Sequence, residues 1–425
     1  MNPSRYRHSS VLVVDPVSSG ALYEPLLAGA GVPVLLLDTE RARVAGLRSE
    51  ATPGALNFEH DFEGNPEKLL RYCLDNAVGY VVAGAESGIG LCEFLREALP
   101  DCPANEPDRS TRRWCKDDMF AELASRGIPT LRTVSLPAGR EIDAQDAADL
   151  LADGPVVVKP SIGAGSVGVV MVKAAAELPE AVHAITTRPG FFGDRPNALV
   201  QELFPLPQHE YVIDTFSYGG THEILGVSRY DKRVSDDGSF VYERITWLAL
   251  DEAPVSVICD YAKEVLDALG VRVGSGHMEV MYNAEFGARL IDFGARAHGA
   301  GHPLKTFQLT GTSHIHRECE FVAHRLAQRP LSTAGGSYAL ARRGAIIFFN
   351  LARSARYRAT AGDIAKLPGM VSVSVNAVPG RTYPATRSLL DSLDLGLAFI
   401  EADNEHDLDE RCQLARAEFD LAFES

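Results

Sequence analysis

Two carboxylates stand where a charge is costly. Glu279 lies in HMEVM and Asp292 in LIDFG, each inside a short apolar, β-branched run, and burying an acid there is unfavourable unless something positive faces it. The runs Met278 to Met281 and Arg289 to Phe293 flank the polar segment YNAEFG, a pattern that reads as a β-hairpin. Acids on paired strands can converge on one point, the arrangement that holds Mg²⁺ (or Mn²⁺) against nucleotide phosphates. Arg296 follows, then His298 and the small-residue run Gly299, Ala300 and Gly301. A permanently charged fork beside a metal site suits a carboxylate or phosphate oxygen. On this stretch alone, a sheet edge with two solvated acids explains the pattern equally well.

Further candidates lie upstream. PVVVKP, Pro155 to Pro160, reads as a strand carrying Lys159, and SIGAGSVG joins it to a second strand, VGVVMV. A glycine-rich turn of this kind, with Ser161, Gly163, Gly165, Ser166 and Gly168, lets backbone N–H groups approach phosphate oxygens, while Lys159 supplies a fixed charge. No G-K-[ST] follows, so it is not a Walker loop. Lys116 sits on a helix expected to open at Ser110 and close at Gly127 and Pro129; alone, it reads as a solvated lysine. Glu202, Phe204 and Glu210 flank a Pro-rich corner between two strands, where backbone groups can meet an adenine edge and a carboxylate can meet ribose hydroxyls. Arg229, Lys232 and Arg233 precede the turn SDDGS of a long alternating hairpin; a charged edge strand is the competing reading.

The elements that must position these groups follow in order. Val11 to Val14, a helical segment from Ala21 to Ala30 and Val34 to Leu37 form a βαβ unit with a parallel sheet. Ser18, Ser19 and Gly20 stand at its ligand edge, without the G-x-G-x-x-G fingerprint. Glu86, just past the strand Gly79 to Ala83, is a candidate substrate contact; a helix N-terminal acid complementing the dipole is the equal alternative. Val255 to Leu269 is an amphipathic helix. Thr306 to Arg329 is helical in pattern, Pro330 to Gly336 a linker, and the tail alternates strands Ala345 to Phe349, Val371 to Val375 and Gly396 to Glu401 before a helix from about His406.

Composition bounds the rest. A chain of 425 residues, 46% hydrophobic and 23% charged, predicts a globular protein of two or three domains. A net charge of −16 argues against nucleic acid or an anionic membrane as partner. Seven cysteines without C-x-x-C suit reduced thiols, and no secretory signal or membrane span is evident. A cytoplasmic location is therefore expected.

Taken together, RRWCKDDM, VVVKPSIGAGSVG and HMEVM…LIDFGAR resemble the ATP-grasp superfamily, specifically its carboxylate–amine ligases of the L-amino acid ligase (dipeptide synthetase) kind and related natural-product ligases. The resemblance implies an α/β (α+β) fold: an N-terminal parallel α/β domain over residues 1–105, an ATP-grasp domain of two subdomains over 106–335 with its lid at about 117–205, and a C-terminal αβ extension over 336–425. It implies that Lys116, Lys159 and Lys232 face ATP, with the glycine-rich loop as a lid, Glu202 and Phe204 at the adenine hinge and Glu210 at the ribose. Glu279 and Asp292 would hold Mg²⁺, and Arg296 would orient a carboxylate and stabilise an oxyanion. His277, His298, Gly299, Ala300 and Glu86 are substrate-side candidates. For the two histidines, packing ranks ahead of catalysis. Gly294 stands where many relatives carry a metal-completing Asn, and Asp292 where Glu is usual. The implied reaction joins a small-molecule carboxylate to an amine through an acyl phosphate, and the implied assembly is a homodimer. An ATP-grasp ligase of central metabolism (purine or biotin-type) and a non-catalytic nucleotide-binding homologue are the alternatives.

Overall fold

The computed structural model describes residues 9–139, 147–205, 209–235, 239–330, 338–358 and 361–424. The tip of the SDDGS turn, most of the Pro-rich corner and nearly all of the expected linker lie outside them. Strands β1 (Ser10–Val14), β2 (Val34–Asp38), β3 (Leu56–Asn57) and β4 (Val78–Ala83) make a parallel sheet in the order β3-β2-β1-β4. Their runs are apolar throughout because both faces are covered. Val11, Val13, Tyr80 and Val82 pack with Leu27 and Phe321 on one side, while Leu12, Val14 and Val81 meet Leu69, Ile89 and Leu95 on the other.

A second sheet, β5 (Thr133–Leu136), β6 (Val156–Pro160), β7 (Val170–Val172) and β8 (Ala198–Glu202), is antiparallel in the order β5-β8-β6-β7. The helix Leu178–Thr186 covers it through Leu178, Val182 and Ile185. The strand after the glycine-rich loop is shorter than its sequence suggests, because Gly165, Ser166 and Gly168 adopt positive φ and turn the chain up to Val169.

The third sheet positions the acids. Its strands are β9 (His209–Tyr218), β10 (Thr221–Val234), β11 (Phe240–Trp247), β12 (Val273–Asn283), β13 (Gly287–Gly294) and β14 (Arg343–Phe348). The tail contributes β15 (Ala355–Tyr357), β16 (Met370–Val375), β17 (Thr382–Tyr383), β18 (Gly396–Ala402) and β19 (Phe423–Glu424). The order is β13-β12-β9-β10-β11-β14-β18-β16, with β17-β15-β19 as a small separate sheet. The tail strands thus continue the central sheet, pairing Ile346 with Ile245. Strand alternation buries Met278 and Val280 under Ile258, Val265 and Leu266 of the helix Val255–Ala268. It turns His277, Glu279 and Met281 to the opposite face.

Two expected helices are corrected. Ser110 caps no α-helix: it sits in a 3₁₀ turn, Pro107–Arg113, and the α-helix starts at Lys116. Arg113, fully buried, holds that turn by donating to Glu93 Oε1 at 2.9 Å. The segment 306–329 is two helices, His302–Thr310 and His314–Leu326; Gly311 ends the first at φ 75° and the Ser313 side chain accepts from His316 N to cap the second.

Candidate active site

Glu279 and Asp292 are direct cross-strand partners, and the next pairing is Val280 with Leu290. Ile291 is therefore an unpaired bulge residue, and bulges re-aim neighbouring groups. Its carbonyl accepts from Lys159 Nζ at 3.0 Å, tying β6 to β13. Lys116 Nζ lies 2.9 Å from Asp292 Oδ2 and donates to the Gly163 carbonyl of the glycine-rich loop at 3.0 Å. One cavity of about 120 Å³ is lined by Lys116, Lys159, Gly163, Gly165, Ser166, Glu202, Phe204, Glu210, Lys232, His277, Glu279, Asp292, Arg296 and Glu86.

The candidates divide by what they touch. Lys232 Nζ meets Glu210 Oε1 at 2.5 Å and stands over the Tyr242 ring at 4.0 Å. Arg229 and Arg233 bond Asp231 and Glu243 instead, at 3.0 and 3.3 Å, so the basic cluster splits. Glu202 is engaged by Arg132, whose Nε donates at 2.7 Å. Ser161 and Gly168 stand outside the cavity wall: the Ser161 hydroxyl accepts from Asn197 N at 3.1 Å, and Gly168 packs on Pro160. Ser166 Oγ lies 3.3 Å from Tyr242 OH. Ser18 and Ser19 serve the fold, accepting from Ala300 N and Gly301 N at 2.8 and 2.9 Å.

Arg296 Nε donates to Glu86 Oε2 at 2.6 Å and Nη1 to the Ala297 carbonyl at 2.7 Å. Gly294 explains itself here. A Cβ on it would stand 2.9 Å from Glu86 Oε2 and 3.4 Å from Arg296 Cγ, so glycine admits the Glu86–Arg296 pair.

The charges tune one another. Burial and then the Lys116 charge push the Lys159 ammonium down to about 7. Burial opposes ionisation of Glu279, but the His277 hydrogen bond and then Lys232 hold its carboxyl well below the usual range. His277 rises to about 9 against its burial, through bonds to Asp214 and Glu279.

Asp214 is the site residue that the sequence reading passes over. His277 Nδ1 and His298 Nδ1 lie 3.4 and 3.3 Å from its Oδ1, and His302 Nδ1 lies 3.1 Å from Oδ2. His298 Nε2 is 2.7 Å from Tyr230 OH. Burial alone would raise the Asp214 carboxyl, yet His314, His298 and His302 hold it low. The rings of His298 and His302 stack at 3.7 Å and 22°. Asp214, His298 and His302 each offer one ligand atom, all within 4.8 Å of one another, a spacing that could also hold a cation. A signal was available, since Asp214 sits in the apolar run YVIDTF much as Asp292 does in LIDFG.

Parallel sheet, lysine-bearing antiparallel sheet and acid-bearing hairpin around one cavity define the ATP-grasp fold, and residues 152–302 match the ATP-grasp domain. Within that class, the chain is 27% identical over 333 residues to dapdiamide A synthase of Enterobacter agglomerans, covering 78% of this chain and 77% of that protein. Its fold is similar to the crystal structure of L-amino acid ligase from Bacillus licheniformis, with TM-score 0.71, 17% identity and 98% of each chain covered. It is also similar to carboxyaminoimidazole ribonucleotide synthase from Aspergillus clavatus complexed with ATP, with TM-score 0.67, 14% identity, and 98% and 100% covered. The chain thus carries an ATP-grasp domain, and it resembles the ATP-dependent C–N ligases, the amino acid ligases among them.

Proposed function

We propose that the protein joins the carboxylate of an amino acid to an amine, a second amino acid among the candidates, through an acyl phosphate, releasing ADP and phosphate. The observation that carries this reading is the single cavity in which Lys116, Lys159 and the paired Glu279 and Asp292 face the partly buried Arg296–Glu86 pair. A carboxylate is a poor electrophile. Its oxygen attacks the γ-phosphorus of ATP, the bond to the β–γ bridging oxygen breaks, and ADP leaves. The amine nitrogen then attacks the acyl carbon, phosphate departs with the bonding pair, and the nitrogen loses a proton. The first step demands positioning and charge neutralisation. Lys116 and Lys159 supply charge toward the phosphates, and the loop 161–168 covers them. Phe204 and Glu202 form the adenine side, and Glu210, set by Lys232, the ribose side. Arg296 orients the reacting carboxylate and stabilises the oxyanion when nitrogen attacks.

The residues fit a hard divalent cation: Glu279 and Asp292 present carboxylate oxygens on paired positions of one cavity. Mg²⁺ held there would neutralise phosphate charge. All seven cysteines are free thiols and none lines the cavity, which supports a reducing, cytoplasmic setting. No helix among the described residues is long and apolar enough to cross a membrane.

The test is nucleotide product analysis with ATP, Mg²⁺ and pairs of amino acids, with hydroxylamine added to trap an activated carboxyl group. ADP, phosphate and an amide are expected, with a hydroxamate in the trapping arm. Release of AMP and pyrophosphate would overturn the acyl-phosphate route. Lys159→Ala and Glu279→Ala each abolish turnover; wild-type-like activity in Glu279→Ala removes the metal assignment. Light scattering on the eluted protein reads the homodimer.

A further inference from the structure

Past Arg296 the site opens into a second chamber of about 210 Å³, which shares Glu86, His277, Glu279 and Arg296 with the nucleotide cavity. Three distant parts of the chain wall it. Phe191 and Phe192, edge to face at 4.9 Å, come from the loop before β8. Tyr230 and Ile245 come from β10 and β11, and Phe348 and Leu389 from the tail. The loop is closed down on the parallel sheet domain by Arg41, whose Nη1 lies 2.6 Å from Asp194 Oδ2 and whose guanidinium stands over Phe192 at 5.4 Å.

The distribution of polarity is one-sided. Every charged side chain on this chamber's wall belongs to Glu86, His277, Glu279 or Arg296, at the end shared with the nucleotide cavity. The far end offers aromatic and aliphatic carbon. A polar group placed there would lose its hydration without a partner. Size excludes the opposite extreme. An apolar cavity of about 150 Å³ in another protein takes benzene, so a methyl side chain would leave most of this one unfilled.

We propose, resting on the amide-forming reading above, that the chamber selects as the carboxylate-bearing substrate an α-amino acid with a large, uncharged apolar side chain, aromatic or branched aliphatic. Its carboxylate lies at Arg296 beside the nucleotide, its ammonium at Glu86 and its side chain against Phe191, Phe348 and Leu389. The tail of the chain is thereby a specificity element.

Two measurements on the full-length protein test this independently. Calorimetry with a non-hydrolysable ATP analogue and Mg²⁺ present reads binding of phenylalanine, leucine, alanine, aspartate and lysine without turnover. Phenylalanine or leucine is expected to bind at least about tenfold tighter than the other three, the discrimination that one or two methylenes already give. Phosphate release with each as the sole variable carboxylate should rank them alike. In Leu389→Trp, which fills the far end, the preference for phenylalanine over alanine falls about tenfold in kcat/KM. Tight phenylalanine binding without amide formation leaves this inference standing and overturns the reaction. Amide formation that favours alanine, aspartate or lysine overturns this inference and leaves the reaction. Binding of none of the five overturns the inference outright.

Discussion

Lys159 is the residue whose protonation the cavity controls most directly. Buried and next to Lys116, its ammonium is pushed down to about 7, so near pH 8 most of it is neutral when no anion is bound. A triphosphate facing it favours the cation. Nucleotide binding near pH 8 therefore takes up as much as about one proton, and near pH 6 almost none. Calorimetry in two buffers of different ionisation enthalpy measures the uptake, and Lys159→Met removes it. In the unfolded chain the same lysine titrates near its ordinary 10.5. Between these values the unfolded state holds more protons, and this group makes the nucleotide-free protein more stable as pH rises. Gly294 tests the other end of the site. Gly294→Ala brings a Cβ to 2.9 Å from the flexible end of Glu86, so stability changes by less than about 1 kcal/mol. The Arg296 anchor shifts, and KM for the carboxylate substrate is expected to rise about tenfold while KM for ATP holds. An unchanged carboxylate KM would show that Glu86 does not set Arg296.

At the scale of elements, what the sequence made legible were charges placed against their background. Glu279, Asp292 and Lys159 stand in apolar strands, and each lines the cavity. The same signature at Asp214 serves a buried histidine cluster, and one dimension does not distinguish a carboxylate facing a ligand from one facing imidazoles. The bulge at Ile291 was illegible, because it is a mismatch between two strands rather than a property of either. Phe191, Phe348 and Leu389 are ordinary apolar residues until three segments meet. The loop carrying Phe191 and Phe192 is held by Arg41 and Asp194, both about a third exposed, so their ion pair contributes little to global stability, about 0–1 kcal/mol. Its effect is local. Arg41→Ala leaves the urea midpoint nearly unchanged but speeds amide hydrogen exchange over residues 188–196. Water then reaches the activated carboxylate, and phosphate release exceeds amide formation. Equal exchange in both proteins would show that the pair is not the latch.

At the scale of the whole molecule, the tail is not an appendage. Sequence alone separates residues 336–425 as an extension, since strand alternation there says nothing about which sheet the strands join. In the structure β14 pairs with β11, placing Arg244, Ile245 and Thr246 opposite Ile347, Ile346 and Ala345. Behind that edge Tyr230, Tyr242, Ile245 and Trp247 share one core with Ile346, Phe348 and Phe399. A chain ending at residue 330 would leave β11 as an open edge and strip the cover from Trp247, which is fully buried. Unpaired edges backed by exposed aromatic surface template association. The truncated chain is therefore expected to elute from size exclusion as aggregate and to bind no nucleotide. Full-length protein, by contrast, loses its central sheet and tail in one cooperative transition, followed by hydrogen exchange on β11 and β18 together. The opposite result would be a soluble, monomeric 1–330 fragment that binds ATP with wild-type affinity. It would mean that the tail merely leans on a self-sufficient nucleotide-binding body, and the shared core around Trp247 would carry no part of its stability.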